Sequence, residues 1–298
     1  KHGRSKPTGM ALVGPSYITQ GFQDMTPMTQ IQDQAGQGMS PMPARILCVG
    51  THHKTGTIWM QQVFKALSGA LGLPKFSMWK RAVKRLPDEG RVLGTNWDSA
   101  FPAELMRRDD VLILHIIRDP RDVLLSGARY HETAPAAKED WLHEPRAEFD
   151  GMSYQQKLLS IPDPQDRILF EMEHKHAETL QQMLDWDYAN PNSIEWRYED
   201  LIADTDCNMF RDALTRFGLS PDQVEKGTRA FWENSLFGGM ADPAQRKSVV
   251  AGHVSSGEAR QWPTKLPRRV AQTYVERFGD DLIALGYETD KNWLGALQ

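Results

Sequence analysis

The run Val111-Leu-Ile-Leu-His-Ile-Ile117 constrains the fold of this chain more than any other segment. It is apolar on both faces of an extended backbone, so a strand formed here has to be covered from two sides. Sheets covered on both faces are parallel sheets whose crossover connections lay helices above and below. A second short apolar run, Arg45-Ile-Leu-Cys-Val-Gly50, reads as another buried parallel strand. A polar loop, Thr51 to Thr57, follows it. Then Ile58, Trp59, Val63, Phe64, Leu67 and Leu71 recur at helical spacing. Arg91 to Thr95 is a weaker strand and Ser193 to Tyr198 a further one. Helices are expected over Asp122 to Tyr130 with Pro120 near the first turn, over Asp163 to Leu184 as one long element, near Leu201, and over 206–217, 221–233 and 267–286. This alternation predicts an α/β fold: a three-layer, doubly wound parallel sheet with helices on both faces and ligands at the strand C-terminal ends.

The 298 residues suffice for one large α/β domain. Residues 1–43 are rich in Gly, Pro, Gln, Met and Ser without a period, and read as an irregular arm ahead of a single domain over 44–298. Residues 132–152, punctuated by Pro135 and Pro145, read as a loop over a site, and about 238–260 as a Gly-rich polar segment. The net charge of −4 argues against bulk attraction to nucleic acid or to an anionic membrane, so an anionic ligand has to be held locally. Two cysteines, Cys48 and Cys207, cannot build a disulfide framework or a Cys-based zinc site, and a reducing, cytoplasmic compartment is the expectation. No apolar run reaches the ~18 residues of a membrane span. The chain begins at Lys1 rather than Met, which leaves a removed leader or anchor open.

Two constellations carry chemistry. Gly50-Thr-His-His-Lys54-Thr55-Gly56-Thr57-Ile58-Trp59 joins a buried strand to a helix. A glycine turn there presents backbone N–H groups at a helix N-terminus, with Lys54 adding a charge and Thr55 and Thr57 adding hydroxyls: a cradle for phosphate or sulfate. Lys54 precedes Gly56, whereas the nucleotide triphosphate loop G-x-x-x-x-G-K-[ST] places its lysine after the second glycine. The plain alternative is a capped helix start with a surface lysine. In the second constellation, Arg118 follows the central strand and can grip a phosphate bidentately, with Ser126 two helical turns further on. The alternative there is a structural ion network of Asp119 and Asp122 with Arg118 and Arg121.

Together these segments resemble the PAPS-dependent sulfotransferases, enzymes that use 3′-phosphoadenosine 5′-phosphosulfate. Thr51 to Trp59 is similar to their T-Y-P-K-S-G-T-x-W loop, and Arg118 to Ser126 to their R-x-P-[RK]-D segment and following Ser. Arg197-Tyr198-Glu199-Asp200-Leu201 resembles R-Y-E-D-L. Ser235-Leu-Phe237-Gly-Gly-Met240 resembles T-S-F-x-x-M, and Gly257 to Trp262 resembles G-x-x-G-x-W. The five occur in family order over residues 45–290. The resemblance implies the P-loop-like sulfotransferase fold and a transferase with PAPS as donor, PAP as product and no required metal. It implies Lys54 at the sulfate and bridging oxygen, and Thr55, Gly56, Thr57, Ile58 and Trp59 in the 5′-phosphate loop. It places Arg118 and Ser126 at the 3′-phosphate, Trp59, Tyr198 and Phe237 around the adenine, and Ser235, Ser256 and Gly257 in the remaining cofactor segments.

The chain departs from the pattern in three places. Asn96, in Gly94-Thr95-Asn96-Trp97-Asp98, stands where small-molecule members carry their base histidine, which makes Asp98, His131 and His53 the candidate bases. His52 and His53 replace Tyr-Pro and, being adjacent, are expected to point apart. Ser255-Ser256-Gly257 replaces R-K-G, with Arg260, Arg246 or Lys247 as sources of the missing charge. The acceptor expected is a small molecule or carbohydrate, with Trp97, Trp141 and Phe149 as candidate lining; a homodimer stays open. The competing functions are a nucleotide kinase or NTPase on a similar sheet and a binding module that keeps the cradle without the chemistry.

Overall fold

A computed structural model describes residues 44–79, 83–136, 139–242, 244 and 257–298. They belong to one compact unit, Gly36–Gln298. Strands β1 (Ile46–Gly50), β2 (Lys75–Ser77), β3 (Val92–Asn96), β4 (Val111–Ile117) and β5 (Ser193–Arg197) form a parallel sheet in the order β2-β3-β1-β4-β5. All seven residues of β4 are buried, as its two-sided apolar pattern requires. Side chains of β1 alternate across the sheet. Leu47 and Val49 join one core with Phe64, Leu67, Phe210 and Phe231, while Ile46 and Cys48 join the other with Met78, Leu105 and Trp186.

Gly50 sits in register with Asn96 of β3 and His115 of β4, so β1 and β3 end side by side and β4 runs two residues further, to Ile117. The chain runs from β1 out to the edge strand β2, returns to β3, and then crosses to β4 on the other side of β1. The crevice between the ends of β1 and β4 is therefore the switch point where a doubly wound sheet opens to ligands.

The helices are α1 (Thr57–Leu71), α2 (Ala103–Met106), α3 (Pro120–Thr133), α4 (Tyr154–Ser160), α5 (Pro164–Glu171), α6 (Ala177–Leu184), α7 (Tyr198–Ala203), α8 (Asn208–Arg216), α9 (Pro221–Glu233), α10 (Trp262–Lys265) and α11 (Arg268–Ala284). Three local expectations are corrected. Strand β2 went unpredicted because it has three residues, two of them exposed, and so no apolar signal. Asp119 caps α3 by accepting from the Arg121 amide at 2.9 Å, which starts that helix at Pro120 rather than Asp122. The helix expected over 163–184 contains a π-helical stretch, Met172–His176, between α5 and α6.

The segment after α3 is more than a loop. Short 3₁₀ turns at Asp140–Leu142 and Ala147–Phe149 and a bridge between Pro145 and Ser153 fold it over buried Leu142, Phe149 and Tyr154. No helix among the described residues is long and apolar enough to cross a membrane.

Candidate functional site

The loop leaving β1 closes on itself. His52 N donates to Thr55 Oγ1 at 2.8 Å, and the His52 carbonyl accepts from Thr55 N (3.1 Å), Thr55 Oγ1 (3.1 Å) and Thr57 Oγ1 (3.0 Å). Thr57 Oγ1 also pairs with Thr51 Oγ1 at 2.8 Å. This tight turn holds Lys54 at φ 65° and Gly56 at φ 106°, both in the left-handed region. Gly56 is the N-cap of α1 and offers no side-chain acceptor, and the first turn of the helix holds no acidic residue. The leading amides of a 15-residue helix therefore face outward without intrahelical partners, with the positive end of the dipole behind them. A methyl group at Gly56 would stand 3.3 Å from the Tyr198 ring.

Arg118 leaves the end of β4 at the same crevice. Its Nη1 donates to the Lys54 carbonyl at 3.3 Å and its Nη2 to the Glu258 carbonyl at 2.9 Å, and its guanidinium lies 4.5 Å from the Tyr198 ring centre. Its Nε is buried without a partner among the described residues. Asp122 stands 3.5 Å from Nη2, but its other oxygen accepts from the amides of Gln261 and Trp262 at 3.0 Å, tying the C-terminal segment to α3. Arg121 takes the structural role: Asp119 grips it twice, Glu288 pairs with it, and Trp262 covers it at 3.6 Å.

A cavity of about 650 Å³ opens between these elements. His53, Lys54, Gly56, Thr57, Ile58, Trp59, Asp98, Arg118, Ser126, Tyr198 and Gly257 all line it, so these residues singled out from the sequence meet in one place. Others do not reach it. The Thr55 side chain is buried and spent on the His52 carbonyl. Ser235 is buried with its hydroxyl donating to the Trp232 carbonyl, and Phe237 packs edge-on to Trp59, 6.1 Å away. His131 is wholly buried behind the wall. Ser256, Arg246 and Lys247 lie outside the described residues, and Arg260 is exposed. Trp97 and Trp141 line the cavity, whereas Phe149 anchors its own segment against Tyr154 and Phe170. Asn96 is spent structurally: Nδ2 donates to the Met78 carbonyl at 2.9 Å and Oδ1 accepts from the amides of Asp98 and Ala100 at 3.1 Å.

Lys54 projects its amine onto the Tyr130 ring, 3.9 Å from the centroid. Burial in the cavity wall, and then the Arg118 charge, lower its pKa to about 8, against an opposing pull from Glu139 and Glu171. Burial raises the Asp98 carboxyl, with Lys175 pulling the other way. Glu139 accepts from Tyr130 Oη (3.2 Å) and Trp141 Nε1 (2.8 Å).

Sequence reasoning missed what lies behind the histidines. The two do point apart: His52 Nε2 meets His115 Nε2 at 2.9 Å, and His53 Nε2 meets His131 Nε2 at 3.0 Å. Each distal histidine is backed by a carboxylate, Glu195 for His115 at 2.5 Å and Glu171 for His131 at 2.8 Å. The signal was the His-His pair itself, but its partners come from other elements, and only His53 lines the cavity.

No protein-family model matches the chain, and no curated protein matches it. Among solved structures it is similar to the mouse sulfotransferase SULT7A1 complexed with PAP, at 14% identity and TM-score 0.45 over 81% of this chain and 84% of that one. It is similar to retinol dehydratase in complex with androsterone and inactive cofactor PAP, at 15% identity and TM-score 0.44 over 81% and 82%. A sulfotransferase from Alicyclobacillus acidocaldarius matches at 12% identity and TM-score 0.37 over 82% and 94%. At these identities and scores, what the cavity holds has to be read from the cavity's own residues.

Proposed function

We propose that this chain is a sulfotransferase that moves a sulfuryl group from PAPS to a hydroxyl or amine acceptor. The observation that carries the reading is the meeting of Lys54 and Arg118 in one cavity, the guanidinium bonded to the lysine's own carbonyl. Two cations from the ends of neighbouring strands suit a ligand with anionic groups at both ends.

The cavity fits that ligand in its own features. Its volume is that of a nucleotide-sized pocket. Two buried donors, Arg118 Nε and Trp59 Nε1, have no partner among the described residues, a costly state unless something else accepts from them. The first-turn amides at Gly56, Thr57 and Ile58 would hold the 5′-phosphate, while the Thr57 hydroxyl, like that of Thr55, holds the turn through the His52 carbonyl. Arg118, Ser126 and the Gly257 amide would hold the 3′-phosphate. Trp59 and Tyr198 would flank the base. When bound, the donor supplies a sulfuryl group on a bridging oxygen.

Lys54 neutralises charge that gathers on the departing phosphate as the bridging bond breaks, and it acts in a partly desolvated wall where a charge counts for more than in water. The loop's order, with Lys54 ahead of Gly56, disfavours the nucleotide triphosphate alternative. Transfer of ³⁵S from labelled PAPS across a panel of sugar and small-molecule alcohols and amines tests the reading, with thermal shift alongside. PAP should raise the melting temperature without Mg²⁺ and ATP should do much less. An equal response to ATP, a requirement for Mg²⁺, or PAP binding with no transfer on any acceptor would overturn it.

A further inference from the structure

We infer that His53 is the general base of the transfer and that His131 and Glu171 behind it carry the proton's charge away from the cavity. This assignment rests on the sulfotransferase reading above. It starts from the wiring of the two histidine chains. His52–His115–Glu195 is closed, with both of its rings wholly buried. His53–His131–Glu171 has the same composition, but its first ring lines the cavity while His131 is 0% and Glu171 1% exposed.

Hydrogen-bond chemistry then fixes the protons. An ionised carboxylate only accepts, so Glu171 Oε2 takes His131 Nδ1–H at 2.8 Å and Tyr154 Oη–H at 2.8 Å. That leaves Nε2 of a neutral His131 as an acceptor, and it receives Nε2–H of His53 at 3.0 Å. The nitrogen of His53 that remains unprotonated is Nδ1. The two rings are stacked at 20° to each other with their centroids 4.9 Å apart. The His53 ring lies 6.3 Å from that of Tyr130, the same ring that seats the Lys54 amine, so base and cation share one wall.

The other candidates are less well equipped. Both ends of the Asn96 amide are committed to backbone. Each Glu139 oxygen already accepts a hydrogen bond. Asp98 lines the cavity between the opposing charges of Lys175 and Glu178.

In the step, the acceptor hydroxyl gives its proton to His53 Nδ1 as its oxygen bonds to sulfur. The bond from sulfur to the 5′-phosphate oxygen breaks, and its electron pair stays on that phosphate beside Lys54. His53 passes Nε2–H to His131 Nε2, where Glu171 faces the new charge, and the proton later returns to solvent. Among the described residues, the charged or titratable groups around the pair are Lys54 on the same loop, Tyr130 on α3, Glu139 beyond it, Tyr154 on α4, Glu171 on α5, and Lys175 on the cavity wall.

The test pairs kinetics with ¹⁵N NMR of the imidazoles in the full chain without donor. His53 should be the Nε2–H tautomer. His131→Gln, which can accept from His53 but cannot take its proton, should keep that tautomer and lower kcat about tenfold, and His53→Ala should lower kcat about a hundredfold or more. PAP affinity of both variants should stay within about threefold of the wild type, which separates a lost base from a collapsed loop. A wild type that transfers sulfuryl while His53→Ala keeps its kcat would overturn the assignment. So would an Nδ1–H tautomer of His53 in the wild type. Absence of any transfer by the wild type is a different result: it sinks the sulfotransferase reading, and this role with it.

Discussion

Lys54 should lose its charge well before an ordinary lysine does, and donor use should fall with it. Its amine is held near 8 rather than 10.5, first because the cavity wall strips water from it and then because Arg118 repels it. That difference corresponds to about 3 kcal/mol of penalty on the charged form in the free site. A group with a pKa near 8 is about nine-tenths protonated at a pH of about 7 and about one-tenth at about 9, so kcat/KM for PAPS, which reports the free enzyme, should fall about tenfold across that window. Two variants locate the limb. Lys54→Arg keeps its charge to above about 12, so the limb should leave the measured range even if kcat falls. Glu139→Gln removes a charge that supports the ammonium, so the limb should move below 8. Steady-state kinetics over the alkaline range, with a binding readout for PAP at each pH, measures all three. A wild-type limb near 10, or one that survives Lys54→Arg, would refute the argument that this amine is desolvated and acts on the donor.

Two further outcomes follow from particular residues. Gly56→Ala forces a side chain into φ 106° with a methyl 3.3 Å from Tyr198, and should cost about 1–3 kcal/mol of stability and weaken PAP at least tenfold, read by denaturation and calorimetry. An alanine variant with unchanged affinity would show that the turn is not the cradle. His176 is wholly buried against Tyr274 Oη at 2.9 Å and is lowered to about 4 by burial, with His52 shifted the same way. The unfolded chain therefore takes up protons first, so stability should fall as pH drops from about 6.5 to about 4, with His176 contributing up to about 3 kcal/mol. Denaturant melts over that range check this, and His176→Gln should flatten the profile; a flat wild-type profile contradicts it.

The sheet was legible because its signals are local. β4 is apolar on both faces and β1 ends in glycine at a polar loop, and those two strands frame the crevice. Strand β2 pairs through backbone alone, with two of its three side chains in water, and leaves no pattern to read. The cavity's cationic ends were legible for the same reason: Lys54 and Arg118 each follow a strand within a few residues. What could not be read was which way a side chain faces. Thr55 belongs to the loop motif, yet its hydroxyl turns inward to hold the turn. Ser235 likewise closes on the Trp232 carbonyl. His131 follows the arginine motif but faces Glu171, forty positions along the chain, so its setting depends on how α5 packs on α3. The π-helical stretch after Glu171 is equally invisible to a 3.6-residue period.

The central claim is that one cavity grips a nucleotide by phosphates at two ends. Calorimetric titration of the full chain with PAP and with adenosine 5′-monophosphate, both without divalent metal, isolates the Arg118 end, because the two ligands differ only in the 3′-phosphate. A charge-assisted contact to a buried guanidinium predicts that PAP binds at least about tenfold tighter. Equal affinities for the two would mean that Arg118 does not meet a phosphate, and the account would fail at its base.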